Sequence, residues 1–135
     1  MSKAEQAIKL HKKGYNCCQA VACVFADEVG LDESTLYKLG EGFGAGMGNA
    51  MGVCGAFSGA AMLAGLVNSD GNVNDPGKSK SATMKVTAKM QKDFTDRAQR
   101  LLCKDIKTGN NGKPFTSCDA CIRIATEIVE ETLGL

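Results

Sequence analysis

Apolar residues recur at helical spacing along most of the chain, and sustained apolar/polar alternation of the kind found in strands is almost absent. One amphipathic pattern covers residues 4–10, and Gly14 interrupts it. A second pattern continues over residues 17–25 until Gly30 supplies a stop. This region therefore predicts two helices or one broken helix.

Short, glycine-rich and polar segments then divide the rest of the chain. Asp32 is placed to begin a short helix that ends at Gly40. Residues 42–52 alternate glycine with other residues, which favours a tight irregular loop. Small residues dominate 54–66, so we expect a buried central helix that approaches its neighbours closely.

The second half predicts two further helices. A polar turn cluster at 68–76 precedes a long helix over about 78–102, and a second loop covers 109–114. Ser117 is placed to cap a last helix that runs to about Thr132. The sequence thus predicts an all-α protein, a single domain over residues 1–135, built as a bundle of about five helices with a Gly-rich loop before a central Gly/Ala-rich helix.

Charge and hydropathy exclude several partners. Lys plus Arg is 16 and Asp plus Glu is 15, so no net field attracts nucleic acid. Residues 43–67 carry no charge, but seven glycines interrupt them, and we expect buried core with no membrane span. The first 13 residues lack the apolar run of a secretory signal, which predicts a cytoplasmic protein.

Seven cysteines make the chain cysteine-rich, and an odd number cannot all pair within one molecule. In a reducing cytosol, clustered cysteines are more often metal-binding or catalytic than structural. Cys54 and Cys118 both stand where helices are predicted to start, and unpaired amides there lower the pKa of a thiol. Cys54 can equally be a small apolar core residue.

Cys118 and Cys121 form a Cys-x-x-Cys pair. A thioredoxin-like interpretation needs a preceding strand, and a structural zinc site needs a second such pair or a suitable histidine. The only histidine, His11, lies far away in sequence. Cys121 can therefore also be a core residue on the same helical face as Ala125 and Ile128.

The sequence positions of the remaining cysteines favour different roles, either in a site or in the core. Cys17 and Cys18 are adjacent, so on a helix they cannot both face one site. Cys23 lies on an apolar helix, which favours a core role. Cys103 follows two leucines at the end of the predicted long helix, where a ligand and a core residue are both plausible.

Three segments together resemble a known family. They are Asn16-Cys17-Cys18-Gln19-Ala20-Val21, the Gly-rich residues 42–48, and Cys54-Gly55-Ala56-Phe57-Ser58-Gly59-Ala60, followed by Cys103 and Cys118. The chain resembles the redox-active protein family named for a Cys…Gly-Cys-Ala-x-x-Gly…Cys…Cys pattern. The resemblance covers nearly the whole chain.

The resemblance implies which cysteines carry the chemistry. The family's four cysteines fall on Cys17, Cys54, Cys103 and Cys118, which leaves Cys18, Cys23 and Cys121 outside the pattern. These four are the expected cofactor-binding and metal-ligating residues, and Cys54 and Cys17 are the expected catalytic ones. The family is similar to a domain of a dimeric multihaem cytochrome with an iron–sulfur centre. Haem is not implied here, because Ile122 rather than histidine follows Cys121.

Three functions remain open. The first is electron transfer through an iron–sulfur cluster held by the four thiolates. The second is a metal-free thiol–disulfide oxidoreductase in which Cys54 attacks and another cysteine forms the disulfide. The third is a non-catalytic accessory module that binds zinc or a partner protein. The sequence leaves open whether the chain is an oxidoreductase enzyme or an electron-transfer protein.

Both redox functions require a redox partner protein, which the sequence does not identify. The Gly/Ala-rich helix offers a face that could pack against a second copy, so a homodimer is a further hypothesis.

Overall fold

The computed structural model describes all 135 residues as helices joined by turns, without a sheet. Strand-like pairing is limited to two isolated bridges, Val53 with Leu102 and Asn110 with Lys113. The predicted all-α class is confirmed. The helices are α1 (Lys3–Lys13), α2 (Cys17–Cys23), α3 (Ala26–Val29), α4 (Glu33–Gly40), α5 (Gly44–Met47), α6 (Gly55–Asn68), α7 (Lys80–Ala98), α8 (Cys103–Thr108) and α9 (Cys118–Leu133), with a 3₁₀ turn at Glu41–Phe43.

Helix α6 lies at the centre and packs against α2, α7 and α9. The core between these helices contains fully buried large side chains, among them Phe25, Leu63, Phe94, Ile122 and Ile128. Each such side chain contributes about 1.5 to 3 kcal/mol through removal of apolar surface from water. The predicted buried central helix is confirmed, because half of α6 is completely enclosed, including Gly55, Gly59 and their alanine neighbours.

Side-chain caps fix where several helices begin. Asn16 caps α2 by accepting a hydrogen bond from the Gln19 backbone N–H at 2.9 Å, and the Gln19 side chain accepts one from the Asn16 N–H in return. Ser117 caps α9 through the Ala120 N–H at 3.1 Å, as predicted. Asp32 caps α4 through the Thr35 N–H, also as predicted.

The long helix is shorter than its sequence pattern indicates. Helix α7 ends at Ala98 because Gln99 adopts a left-handed conformation with φ of 75°. The chain then runs extended through Leu102, which bridges Val53, and a new helix begins at Cys103. The prediction that Cys103 ends the long helix is wrong: Cys103 is the first residue of α8.

Several helices in the fold are long, but none combines the length and the apolar character needed to cross a bilayer.

Candidate functional site

Five cysteines line one small cavity of about 20 Å³. They are Cys17, Cys54, Cys103, Cys118 and Cys121. The four cysteines assigned from the family resemblance therefore converge, and Cys121 joins them. A cavity of this size holds about one water molecule.

Each of the four converging cysteines stands at the start of a helix. Cys17, Cys103 and Cys118 are the first residues of α2, α8 and α9, and Cys54 is the N-cap of α6. Helix N-termini carry partial positive charge and unpaired amides, which favour a thiolate over a thiol. The fold thus directs several helix dipoles toward one group of sulfur atoms.

The Gly-rich loop closes one side of the cavity. Ala45 and Gly46 both have left-handed backbone conformations, with φ of 53° and 62°, so α5 is an irregular turn within this loop and not a regular helix. Gly46 lies so close to Cys103 that a Cβ there would overlap the Cys103 Cβ. The backbone N–H of Cys103 donates to the Gly52 carbonyl at 2.9 Å, which holds the loop against α8. A glycine is required at position 46 by both the conformation and the close approach.

Cys17 and Cys118 form an outer thiol pair, since both are only partly buried. Hydrogen bonding from the Cys17 thiol is the largest of the effects that lower the Cys118 pKa to about 6. The charges of Lys107 and His11 lower that pKa further, against the effect of burial. The same hydrogen bond raises the pKa of Cys17, because Cys17 must keep the proton it donates.

His11 reaches this end of the molecule from α1. Its Nδ1 lies 3.3 Å from an Oδ1 oxygen of Asp119, the residue that follows Cys118. This contact holds the imidazole beside the start of α9. His11 is far from Cys118 along the chain, and the packing of α1 on α9 brings it near.

Cys54 and Cys121 form an inner pair, and both are buried. A hydrogen bond from the Cys121 thiol is the largest effect that lowers the pKa of Cys54, and the backbone N–H groups of Ala56 and Phe57 add to it. The reciprocal effect raises the pKa of Cys121. The cavity wall therefore holds two thiol pairs, one reachable from solvent and one enclosed.

Cys103 differs from the paired cysteines. Burial raises its pKa, while a hydrogen bond and the positive charge of Lys107 oppose that rise. Lys107 lines the cavity one helical turn beyond Cys103 on α8, and it is the cation that both Cys103 and Cys118 share.

The other two cysteines lie outside the cavity. The Cys18 sulfur contacts the Met62 sulfur at 3.5 Å, and burial raises the Cys18 pKa to about 12. The Cys23 thiol points at the Glu33 carbonyl oxygen, 3.7 Å away, and burial raises its pKa to about 11. Both are packed as core residues, in line with the spectator role expected for one of the Cys17/Cys18 neighbours and the core role expected for Cys23.

The donor set suits iron or zinc in its chemistry. Cysteine thiolates are the usual ligands of iron–sulfur clusters, and helix N-termini offer amides to cluster sulfides. No three Cys, His, Asp or Glu side chains lie close enough together to hold one metal ion, so the present spacing does not suit a single zinc or iron ion. An iron–sulfur cluster is a different case, because it distributes its cysteine ligands over several iron atoms.

The fold and this cavity define an all-α, cysteine-rich class of protein whose thiols are arranged for redox chemistry. The family model described as "Putative redox-active protein (C_GCAxxG_C_C)" matches residues 15–132, and the chain belongs to this family. No curated protein and no solved structure matches the chain.

The family's name writes Gly-Cys-Ala-x-x-Gly, and residues 54–59 of this chain read Cys-Gly-Ala-Phe-Ser-Gly. The order of cysteine and glycine at positions 54 and 55 thus differs from the order in that name. A Cβ at Gly55 would lie 3.4 Å from the Cys17 Cβ, so position 55 adjoins Cys17 directly.

Three residues in or near the cavity were not assigned from sequence. Lys107 could not be placed without helix α8, and His11 depends on a contact with a residue 108 positions away. Cys121 carried a signal, since its Cys-x-x-Cys spacing puts it one helical turn from Cys118 and on the same side of α9.

Proposed function

We propose that the protein is a thiol–disulfide redox protein in which Cys17 and Cys118 are the exchanging pair. The observation that carries this proposal is that Cys17 and Cys118 are the two partly exposed cysteines among the five that line one small cavity. A cavity of about 20 Å³ leaves little space between the thiols on its wall. The pair needs no additional ligand to act.

The pKa of Cys118, lowered to about 6, makes it the attacking thiolate near neutral pH. Its sulfur attacks one sulfur of a disulfide substrate, the substrate S–S bond breaks, and one substrate thiolate leaves. Cys17 then loses its proton, attacks the Cys118 sulfur and releases the second substrate thiolate. Two electrons pass to the substrate, and a Cys17–Cys118 disulfide remains.

The test is oxidation of the reduced protein with oxidised glutathione, followed by alkylation of free thiols and peptide mapping. We expect a disulfide between Cys17 and Cys118. Cys118→Ser should abolish it, whereas Cys23→Ser, which changes a cysteine outside the cavity, should not. Recovery of both thiols fully alkylated after prolonged oxidation would contradict the proposal.

The second candidate is an iron–sulfur cluster held by Cys17, Cys54, Cys103 and Cys118 and used for electron transfer. It is supported by the convergence of all four family-pattern cysteines, each at a helix start, on one cavity. Such a cluster would supply one-electron chemistry, and the amides of α6 and α8 could donate to its sulfides.

Anaerobic purification with iron, zinc and acid-labile sulfide analysis distinguishes the two candidates. Iron and sulfide in stoichiometric amounts, with a visible absorption spectrum lost in Cys103→Ser, would favour the cluster. Cys103 is the informative position because the dithiol mechanism does not use it. Metal-free protein that still forms the Cys17–Cys118 disulfide would favour the dithiol.

A further inference from the structure

The inner thiol pair has no role in the exchange reaction described above. Cys54 and Cys121 are 6% and 2% exposed, so a disulfide substrate in solution cannot reach them directly. They nevertheless line the same small cavity as the outer pair. A buried thiol pair that shares a cavity with a second, accessible pair calls for an explanation beyond core packing.

The connection between the pairs is provided by α9. Cys118 and Cys121 are separated by one helical turn on this helix, so one member of each pair projects from the same side. Cys17 and Cys54 approach from α2 and α6, whose starts are in contact where Gly55 meets Cys17. The cavity between them has room for about one water molecule, which leaves little space between the two pairs.

We propose that Cys54 and Cys121 are a second, internal dithiol that is oxidised by the Cys17–Cys118 disulfide. Cys121 thereby gains a redox role that the family pattern does not include. The inference rests on the proposed function, because the oxidant of the inner pair is the Cys17–Cys118 disulfide formed in that reaction.

The exchange is balanced in two steps. The Cys54 thiolate attacks the Cys118 sulfur, the Cys17–Cys118 bond breaks, and Cys17 leaves as a thiolate that takes up a proton. Cys121 then loses its proton and attacks the Cys54 sulfur, which releases the Cys118 thiolate. Two electrons move from the inner pair to the outer pair, which is again reduced and can react with another substrate disulfide. The cavity therefore stores two disulfides in sequence.

The experiment follows both links over time in protein oxidised with excess oxidised glutathione, quenched with acid and alkylated. Cleavage on the N-terminal side of Asp119 separates Cys118 from Cys121, so the two links appear on different peptides. We expect the Cys17–Cys118 link first and the Cys54–Cys121 link later.

Variants distinguish oxidation of the inner pair by the Cys17–Cys118 disulfide, which we call the relay, from direct oxidation of the inner pair by glutathione. In Cys17→Ser/Cys118→Ser, formation of the Cys54–Cys121 link should slow by at least roughly tenfold, because the accessible route is gone. Cys118→Ser alone should show the same slowing, because it removes the attacking thiolate, and it keeps a hydroxyl in place of the thiol, which guards against misfolding of the double variant. Cys121→Ala should keep the outer link and lose the inner one, and Cys23→Ala should keep both.

The outcomes are distinguishable. An outer link that forms without any inner link overturns the relay and leaves the proposed function standing. An inner link that forms at the same rate in Cys17→Ser/Cys118→Ser also overturns the relay, since it shows direct oxidation. Failure of the outer link in the wild-type protein overturns the proposed function and the relay together.

Discussion

Gly59 on α6 lies against the backbone of Cys18 on α2: a Cβ at position 59 would come within 2.8 Å of the Cys18 carbonyl oxygen and 3.1 Å of the Val21 Cβ. Contacts this short with backbone cannot be relieved by rotating a side chain. The close approach of these two helices therefore depends on a missing side chain. It also fixes how α2 presents Cys17 to the cavity.

Gly59→Ala should destabilise the protein by about 1 to 3 kcal/mol through overpacking. Gly65→Ala is the matched control on the same helix, where an added Cβ meets nothing within 4 Å. That change should stabilise the protein by about 0.5 to 1 kcal/mol, because alanine loses less backbone freedom on folding. Urea unfolding of both variants measures the two free energies, and equal effects would contradict the packing argument.

A second glycine pair tests the loop beside Cys103. Gly46→Ala should combine left-handed strain with a clash against Cys103, whereas Gly48→Ala, with φ of 87° and open space, should show strain alone. We expect Gly48→Ala to cost about 1 to 2 kcal/mol and Gly46→Ala about 1 to 3 kcal/mol more. Gly46→Ala should also raise the alkylation rate of Cys103, because the loop that covers it must shift. An unchanged Cys103 rate would count against that role for the loop.

The all-α class and the first residues of several helices could be predicted from local sequence patterns, and the structure confirms them. Ser117 and Asp32 cap helices where the sequence predicts, because a cap needs only a side chain and the amides that follow it. The end of α7 was missed because Gln99 is neither glycine nor asparagine, yet it takes the left-handed conformation. Helix α8 was missed for the same reason, since the pattern across that break remains helical.

Removal of the hydrogen-bond donor at Cys17 should change the pH profile of Cys118. With a pKa of about 6, Cys118 alkylation should rise with pH through a midpoint near 6 and level off above it. Cys17→Ala should move that midpoint upward, because the thiolate loses its largest stabilising contact. Lys107 and His11 keep the pKa from returning fully to that of a free thiol.

The alkylation rate of Cys118 at pH 7 should fall only modestly in Cys17→Ala. A thiol with a pKa of 6 is about 90% thiolate at that pH and one with a pKa of 9 is about 1%. The intrinsic nucleophilicity of the thiolate falls by roughly 15- to 30-fold over the same three units, so the net loss on full reversal is about 3- to 6-fold. Iodoacetamide kinetics across pH measure both quantities, with Cys23→Ala as the control. An unmoved midpoint in Cys17→Ala would show that the hydrogen bond does not control Cys118.

The order of cysteine and glycine at positions 54 and 55 can be exchanged by mutation. Cys54→Gly/Gly55→Cys places a Cβ 3.4 Å from the Cys17 Cβ, near the short end of the disulfide range, and 3.0 Å from the Phe43 carbonyl oxygen, which must give way slightly. Oxidation should then link Cys17 to position 55 and leave Cys118 and Cys121 free. Peptide mapping beside Cys54→Gly alone provides the comparison. Persistence of the Cys17–Cys118 link in the double variant would contradict this geometry.

The convergence of the cysteines was available from the family pattern, but their pairing was not. Pairing depends on which thiols face one another across the cavity, and this is set by the packing of α2 and α6 against α9 rather than by spacing along the chain. Cys121 illustrates the point: its periodicity fits a core face equally well, and only its contact with Cys54 distinguishes it.

Both thiol pairs join α9, near the end of the chain, to helices in its first half. Closing the Cys17–Cys118 bond would enclose a loop of about 100 residues, a crosslink worth about 4 to 5 kcal/mol by restriction of the unfolded chain. The oxidised molecule would then resist heat and proteases better than the reduced one. Reduction of the disulfide would lower the stability of the whole bundle. A protease or chaperone that recognises the unfolded chain would therefore respond to the oxidation state of the cavity without contacting a sulfur atom.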